Sequence, residues 1–471
     1  MLVVIARKEF LMLLRDGRVT WSAAILAVML LAALVTAGVR YQAIAGERVR
    51  AQAVVDQQWR EQGEKNPHAA AHYGLYAFKP VTPLSFFDTG INNFTGVSIW
   101  LEAHKQNMAE GEPARDSTAI SRFGELTVAF TLQTLLPLLV ILLTFAAFVG
   151  EREQGTLRQT LSMGVSPRTL LFGKALGAAL ALTVFLGPVL ICGLIVLLIV
   201  PGGVHLIGHA LVLTVLYAVY AAVFLFLTLA VSAVADSTRT ALVVMVGFWA
   251  VTNFVLPKVA ADFAVRLQPT PTLVAFQKAL ADDMANGLNG VSPDTLIAQR
   301  REQTLNLYKV ETLEKLPINF QGVVFSLQEQ MGNAVFDKHF GMLANVMAAQ
   351  TRVYEIFSLM SPRLATSLAS MQLSGTSLND HEDYVRQAEL FRRAMIDKMN
   401  QAITFKSGPN QSEYRAGPAL WAQIGGFEYH PPSFGVVIAR IASNLTVLLL
   451  WLVAAVTAAV LAVRQLRVMV S

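Results

Sequence analysis

The chain has one cysteine, Cys192, so no disulfide within it can hold an outer domain together. Its place in the middle of an apolar run reads as that of a packing residue rather than a reactive thiol. Charge is scarce as well: 15% of residues are Asp, Glu, Lys or Arg against 54% hydrophobic, with a mean hydropathy of +0.50. That balance is too apolar for a water-soluble chain of 471 residues, and a bilayer is its natural solvent. A phosphate-binding loop of the form Gly-x-x-x-x-Gly-Lys-Ser/Thr is missing, because Gly173-Lys174 is followed by alanine and lacks the earlier glycine. The chain therefore does not supply its own nucleotide hydrolysis. A nucleophile-elbow serine motif is absent too, which disfavours a membrane-embedded hydrolase. Apart from Lys174, no ionisable side chain lies deep in an apolar run, and this disfavours a proton- or ion-coupled carrier.

What the chain does have is apolar runs close to the ~20 residues that cross a hydrocarbon core as a helix. Six stand out, at 19–39, 126–149, 170–200, 208–234, 241–257 and 436–463. The third is long enough to tilt or to break at Gly187-Pro188, and the fifth is expected to end at Pro257. The fold class is an all-α membrane protein: about six transmembrane helices, an N-terminal amphipathic elbow helix over 1–18, and two mainly helical extracytoplasmic insertions over 40–125 and 258–435. The middle block 126–257 carries four spans and an inner loop at 150–174, and 464–471 forms a tail. With the N-terminus inside, eleven basic residues from Arg7 to Arg467 and five acidic ones lie on the cytoplasmic side, while the other 26 basic and 27 acidic residues nearly balance. The net charge of +5 is then a positive-inside bias, not a nucleic-acid footprint, and both termini are cytoplasmic. The small residues at 42–46 resemble a cleavage site, but the run before them exceeds a secretory signal's ~7–15 apolar residues, so an uncleaved anchor is expected.

Within the first insertion only a helix through Trp59 and irregular chain beyond it are legible. In the second, Ser292-Pro293-Asp294 starts a helix over 295–316 that Pro317 ends, and further helices follow at 321–357 and 380–404, the last opened by Ser377 to Asp380. Residues 421–433, rich in Gly, Pro and aromatics, are expected to form an interfacial turn.

The loop between the second and third runs carries the most specific pattern. A charged turn Glu151-Arg152-Glu153 is followed by Gly155, a short helix with Leu157 and Leu161 on one face, a second break at Gly164, and Ser166-Pro167 capping the next helix. These elements, Glu151-Arg152-Glu153, Gly155-Thr156-Leu157, Leu161-Ser162, Val165-Ser166-Pro167-Arg168 and Gly173-Lys174, resemble the first cytoplasmic loop of type-2 ABC-transporter permeases. The resemblance implies that this loop is a coupling helix docking on a separate ATP-binding subunit, with Glu151, Arg152, Glu153, Gly155, Thr156, Leu157, Leu161, Ser166, Pro167, Arg168 and Lys174 as coupling residues. It further implies that Arg7, Lys8, Glu9 and Phe10 belong to the elbow, at the inner lipid surface. ATP and Mg2+ would sit on the partner, and a second permease copy or paralogue would complete the pathway in a bacterial inner membrane, most naturally for export. The transported substrate is not identified by the residues. Large outer insertions depart from the compact members and resemble a branch with extracytoplasmic domains.

Asp236 and Arg239, one helical step apart in the turn between the fourth and fifth spans, form either a local ion pair or a second ATPase contact. His68 and His72 have the four-residue spacing that metal ligands need, but with no third ligand nearby in sequence they read as a solvated helix face, and no metal site is expected. His205 and His209 share the spacing and the same deficiency; His381-Glu382-Asp383 lacks the second histidine of a zinc-protease helix. The rival class is a membrane-anchored sensor or assembly scaffold whose outer domains bind a partner without transport.

Overall fold

A computed structural model describes residues 1–116, 126–408 and 413–466. Arg467 and most of the expected tail lie outside the described residues, as does the end of the first insertion.

Helix α1 (Leu2–Arg15) stops at Asp16, whose side chain turns back to accept the N–H of Arg18 and starts α2 (Gly17–Arg60). At ~1.5 Å per residue, α2 is about twice as long as a bilayer core is thick, so its second half projects into the first insertion. There follow α3 (Pro67–Tyr73), strands β1 (Leu75–Phe78), β2 (Ser98–Glu102) and β3 (Lys105–Gln106), and α4 (Pro113–Asp116). The strands form an antiparallel sheet in the order β1-β2-β3, with Leu75 opposite Leu101 and Glu102 opposite Lys105. The first insertion is therefore not simply helix and irregular chain. Alternation over Leu75–Phe78 and Ser98–Glu102 buries one face of each strand, a pattern too short to separate from loop by sequence.

The membrane block runs through α5 (Val128–Thr144), α6 (Val149–Glu153), α7 (Thr156–Ser162), α8 (Pro167–Ile199), α9 (Ile207–Val234), α10 (Thr238–Ala250) and α11 (Leu256–Leu267). Among the described residues six helices are long and apolar enough to span: α2, α5 with α6, α8, α9, the continuous α10–α11, and the last helix. Helix α8 passes Pro188 unbroken. The fifth span does not end at Pro257. It crosses a π-turn at Val251–Val255 and continues to Leu267, with Pro257 in the first turn of α11. Proline lacks an N–H, and here a side chain takes up a spare carbonyl: Thr252 O accepts the Ser361 hydroxyl at 3.0 Å.

The second insertion contains α12 (Leu273–Asn286), α13 (Pro293–Tyr308), α14 (Phe320–Phe357), α15 (Pro362–Leu373), α16 (Leu378–Lys406) and α17 (Pro418–Ile424), and α18 (Phe434–Gln465) closes the chain. The expected starts are present: Ser292 caps α13, and Ser377 with Asp380 forms a reciprocal capping box on α16. Helix α13 ends at Lys309, which turns left-handed, well before Pro317. Helix α15 packs with the membrane helices, its Ala369 and Leu373 belonging to the same core as α9 and α18. A second core joins the two insertions. Trp59 and Trp421 meet edge to face with ring centres 5.7 Å apart, and the Tyr384 hydroxyl donates to Ala77 O at 2.8 Å. Trp421 is thus buried inside this core rather than placed at a membrane interface, and its indole N–H is satisfied there by Gly63 O.

Candidate functional site

The 150–174 loop folds as its sequence requires. Gly155 and Gly164, at φ 75° and 83°, supply the left-handed turns that bracket α7, and Ser166 accepts the N–H of Thr169 to begin α8 at Pro167. Where its charged residues point is new. Lys174 Nζ lies 3.1 Å from Glu9 Oε2 and 3.0 Å from Glu151 Oε1, and Lys8 Nζ reaches the same Glu151 oxygen at 3.2 Å. Lys174 and Glu9 are buried, so this two-plus, two-minus cluster locks the elbow helix, the start of the loop and α8 together. Glycine makes the approach possible. A Cβ on Gly173 would fall 2.7 Å from the Ile5 side chain, and one on Gly177 would fall 2.7 Å from Ala6 O. The other elbow residues are more open: Phe10 packs half-buried against the membrane core, and Arg7 is exposed.

Arg152 and Glu153 reach across to the α9–α10 turn. The Arg152 guanidinium donates to Ala235 O at 2.8 Å and also to Ala233 O, the free carbonyls at the negative end of α9. The Glu153 carboxylate accepts the Thr238 N–H at 2.9 Å, at the positive start of α10. Ser232 Oγ accepts the N–H groups of Phe148 and Val149 at 3.0 and 3.3 Å, tying the base of the loop to α9. The Glu-Arg-Glu triplet therefore makes internal contacts to four elements: α1 through Lys8, α8 through Lys174, the end of α9, and the start of α10.

Leu157 is buried in the membrane core, Leu161 and Val165 pack beside it, and Pro167 is buried. The face of α7 turned to solvent carries Thr156, Arg158, Gln159, Ser162 and the following Met163, which is 73% exposed, with Arg168 nearby in sequence. Asp236 and Arg239 are exposed at the tip of the α9–α10 turn, and no ion pair joins them among the described residues.

Deeper in the membrane block, a cavity of about 460 Å³ is lined by α2, α5, α8 and α9 together with Leu84, Phe86 and Phe87; its walls are almost wholly apolar. At its edge, Tyr217 joins a buried chain of hydrogen bonds. Gln133 Nε2 donates to the Tyr217 hydroxyl at 3.0 Å, the Tyr217 and Ser370 hydroxyls lie 3.1 Å apart, and Ser370 Oγ donates to Asp88 Oδ2 at 2.5 Å. Burial raises the Asp88 carboxyl above its ordinary range, opposed by hydrogen bonds from Ser370 and the Gly90 N–H.

His68 and His72 are not simply a solvated face: His72 is exposed, but His68 is half-buried. The His68 ring lies flat on Phe325 at 3.8 Å, and the turn between β2 and β3 brings His104 against both. Burial, and then the neighbouring His72 and His104, push His68 down to about 4. The third histidine escaped the sequence reading because it comes from a strand turn 32 residues beyond His72. His209 instead packs edge-on against Phe434 at 4.9 Å.

The family model described as ABC-2 family transporter protein matches residues 3–467. No curated protein matches the chain.

Proposed function

Since this chain belongs to the ABC-2 family of transporter proteins, a multi-pass membrane permease of the ABC type, we propose that it is the transmembrane half of an ATP-driven exporter in a bacterial inner membrane. A separate ABC ATPase, carrying ATP and Mg2+, docks on the loop 150–174, and a second permease copy or paralogue closes the pathway. Both termini lie on the ATPase side.

The observation that carries this reading is the way the loop is held. Its charged triplet grips α8, the end of α9 and the start of α10, while Lys174 adds the elbow helix. A displacement of α7 is therefore passed to several membrane elements at once, as a coupling device requires. The docking surface is then the polar face of α7, with Arg158, Gln159 and Met163, and the exposed turn Asp236–Arg239 beside it. Glu151, Arg152, Glu153, Leu157 and Lys174 act as positioning residues behind that face. The apolar cavity between α2, α5, α8 and α9 supports a transport role over that of a scaffold, and fits a substrate with an apolar part.

Reconstitution of the chain with its ATPase in lipid vesicles tests the proposal. The double substitution Arg158→Glu and Met163→Glu changes only exposed side chains, so it should leave the permease folded and lower ATPase binding and coupled ATP turnover at least tenfold. Unchanged binding and turnover would overturn the assignment of this face.

A further inference from the structure

We propose that His68, His72 and His104 form a binding site for a divalent transition ion of the zinc class, placed where the two insertions meet. One ligand atom from each ring lies within 4.8 Å of the others. His68 and His72 stand one helical turn apart on α3 with their Nε2 atoms 3.2 Å apart. Zinc–imidazole bonds of about 2.0–2.1 Å set two tetrahedral ligand nitrogens roughly 3.3 Å apart, so this pair already has the spacing of a chelate. His104 has to close only the remaining gap by side-chain rotation.

The rings are held by surroundings that a chance cluster lacks. Glu329 Oε1 accepts both the backbone N–H of His104 at 2.7 Å and its Nδ1 at 2.8 Å. That bond assigns the hydrogen to Nδ1 and leaves Nε2 free as a ligand, the carboxylate–histidine arrangement that orients metal-binding imidazoles. Glu329 is itself fixed by the buried Arg392, 3.1 Å away. Phe325 holds the His68 ring by stacking, and Asn66 caps α3 so that both of its histidines project from a defined start. His104 adopts φ 62°, a left-handed conformation at a non-glycine residue, in the turn that presents its ring.

Three neutral imidazoles suit Zn2+, and by the usual order of divalent affinities Cu2+ and Ni2+ as well, rather than Mg2+ or Ca2+. His72 is exposed, so the fourth position is open to water or to another donor, which describes an exchangeable site rather than a closed structural one. On binding, the ion takes the place of the hydrogen shared between the two Nε2 atoms; that hydrogen moves through water to Nδ1 of the ring that donated it, so both neutral rings then carry their one hydrogen on Nδ1.

The test is metal uptake by the full chain in lipid nanodiscs, purified without a histidine tag and stripped with chelator. Equilibrium dialysis against Zn2+ should give one ion per chain, and Co2+ should give the intense visible bands of a four-coordinate site. His72→Gln, at an exposed position, should abolish the stoichiometric uptake while leaving the circular dichroism unchanged. Glu329→Gln should weaken Zn2+ affinity by about 10–100-fold through loss of the orienting carboxylate; because it also breaks the ion pair to Arg392, circular dichroism must show its fold unchanged. Substoichiometric uptake by the wild-type chain, or wild-type affinity in His72→Gln, would overturn the proposal.

Discussion

Replacing Lys174 with methionine is the sharpest probe of the corner that joins the elbow, the loop and α8. Methionine keeps the stem's volume but removes the cation that Glu9 and Glu151 share at 3.1 and 3.0 Å. Glu151 retains Lys8, whose side chain is 57% exposed and so holds it only weakly, while Glu9 keeps no cation from this cluster. Breaking a buried ion pair from one side costs about 3–5 kcal/mol, and the surviving Lys8 contact points to the lower figure. About 3 kcal/mol is roughly two orders of magnitude in the folding equilibrium. Unfolding in mixed micelles titrated with denaturing detergent, followed by circular dichroism, measures it. Adding Glu9→Gln to Lys174→Met removes the stranded carboxylate and should recover at least half of the loss. A single variant as stable as wild type, or a double variant no better than the single, would refute the claim that this charge cluster holds the elbow.

Arg152→Ala strips two carbonyls at the end of α9 of their donor and should destabilise the chain by about 1–2 kcal/mol, with faster amide exchange confined to the α9–α10 turn. Gly177→Val drives a side chain into Ala6 O and the Glu9 stem; overpacking of about 1–3 kcal/mol should loosen α1 from α8, read as new protease cleavage between the two. Asp88→Asn tests the buried chain at the cavity edge. Because burial raises the Asp88 carboxyl above its unfolded value of 3.8, this group's contribution to stability is fully present below that pH and is lost as pH rises through the raised value. The asparagine variant lacks this loss, so its melting temperature should gain on wild type as pH climbs from 4 to 8; a constant difference would contradict the reasoning.

The spans were legible because apolar length is a property of contiguous residues. The same holds for the caps at Ser292 and Ser377 and for the glycines around α7. What stayed hidden depends on partners far along the chain. Arg152 and Glu153 read as contacts for another protein because the helix ends they satisfy lie more than 80 residues away. Leu157 and Leu161 showed a single apolar face, and that face turns into the chain's own core. The π-turn before Pro257 is met by Ser361, which precedes an element whose place among the membrane helices its modest hydrophobicity concealed. His104 and Glu329 complete the histidine cluster only after a strand turn and α14 meet.

Cross-linking from the outer face of α7 tests the coupling claim most directly. With Cys192 replaced by serine, a lone cysteine at Met163 should link to the co-reconstituted ATPase in an ATP-sensitive way, whereas one at Val35, an exposed position within the α2 span, should not. Linking from neither position, or equally from both, would contradict the coupling role.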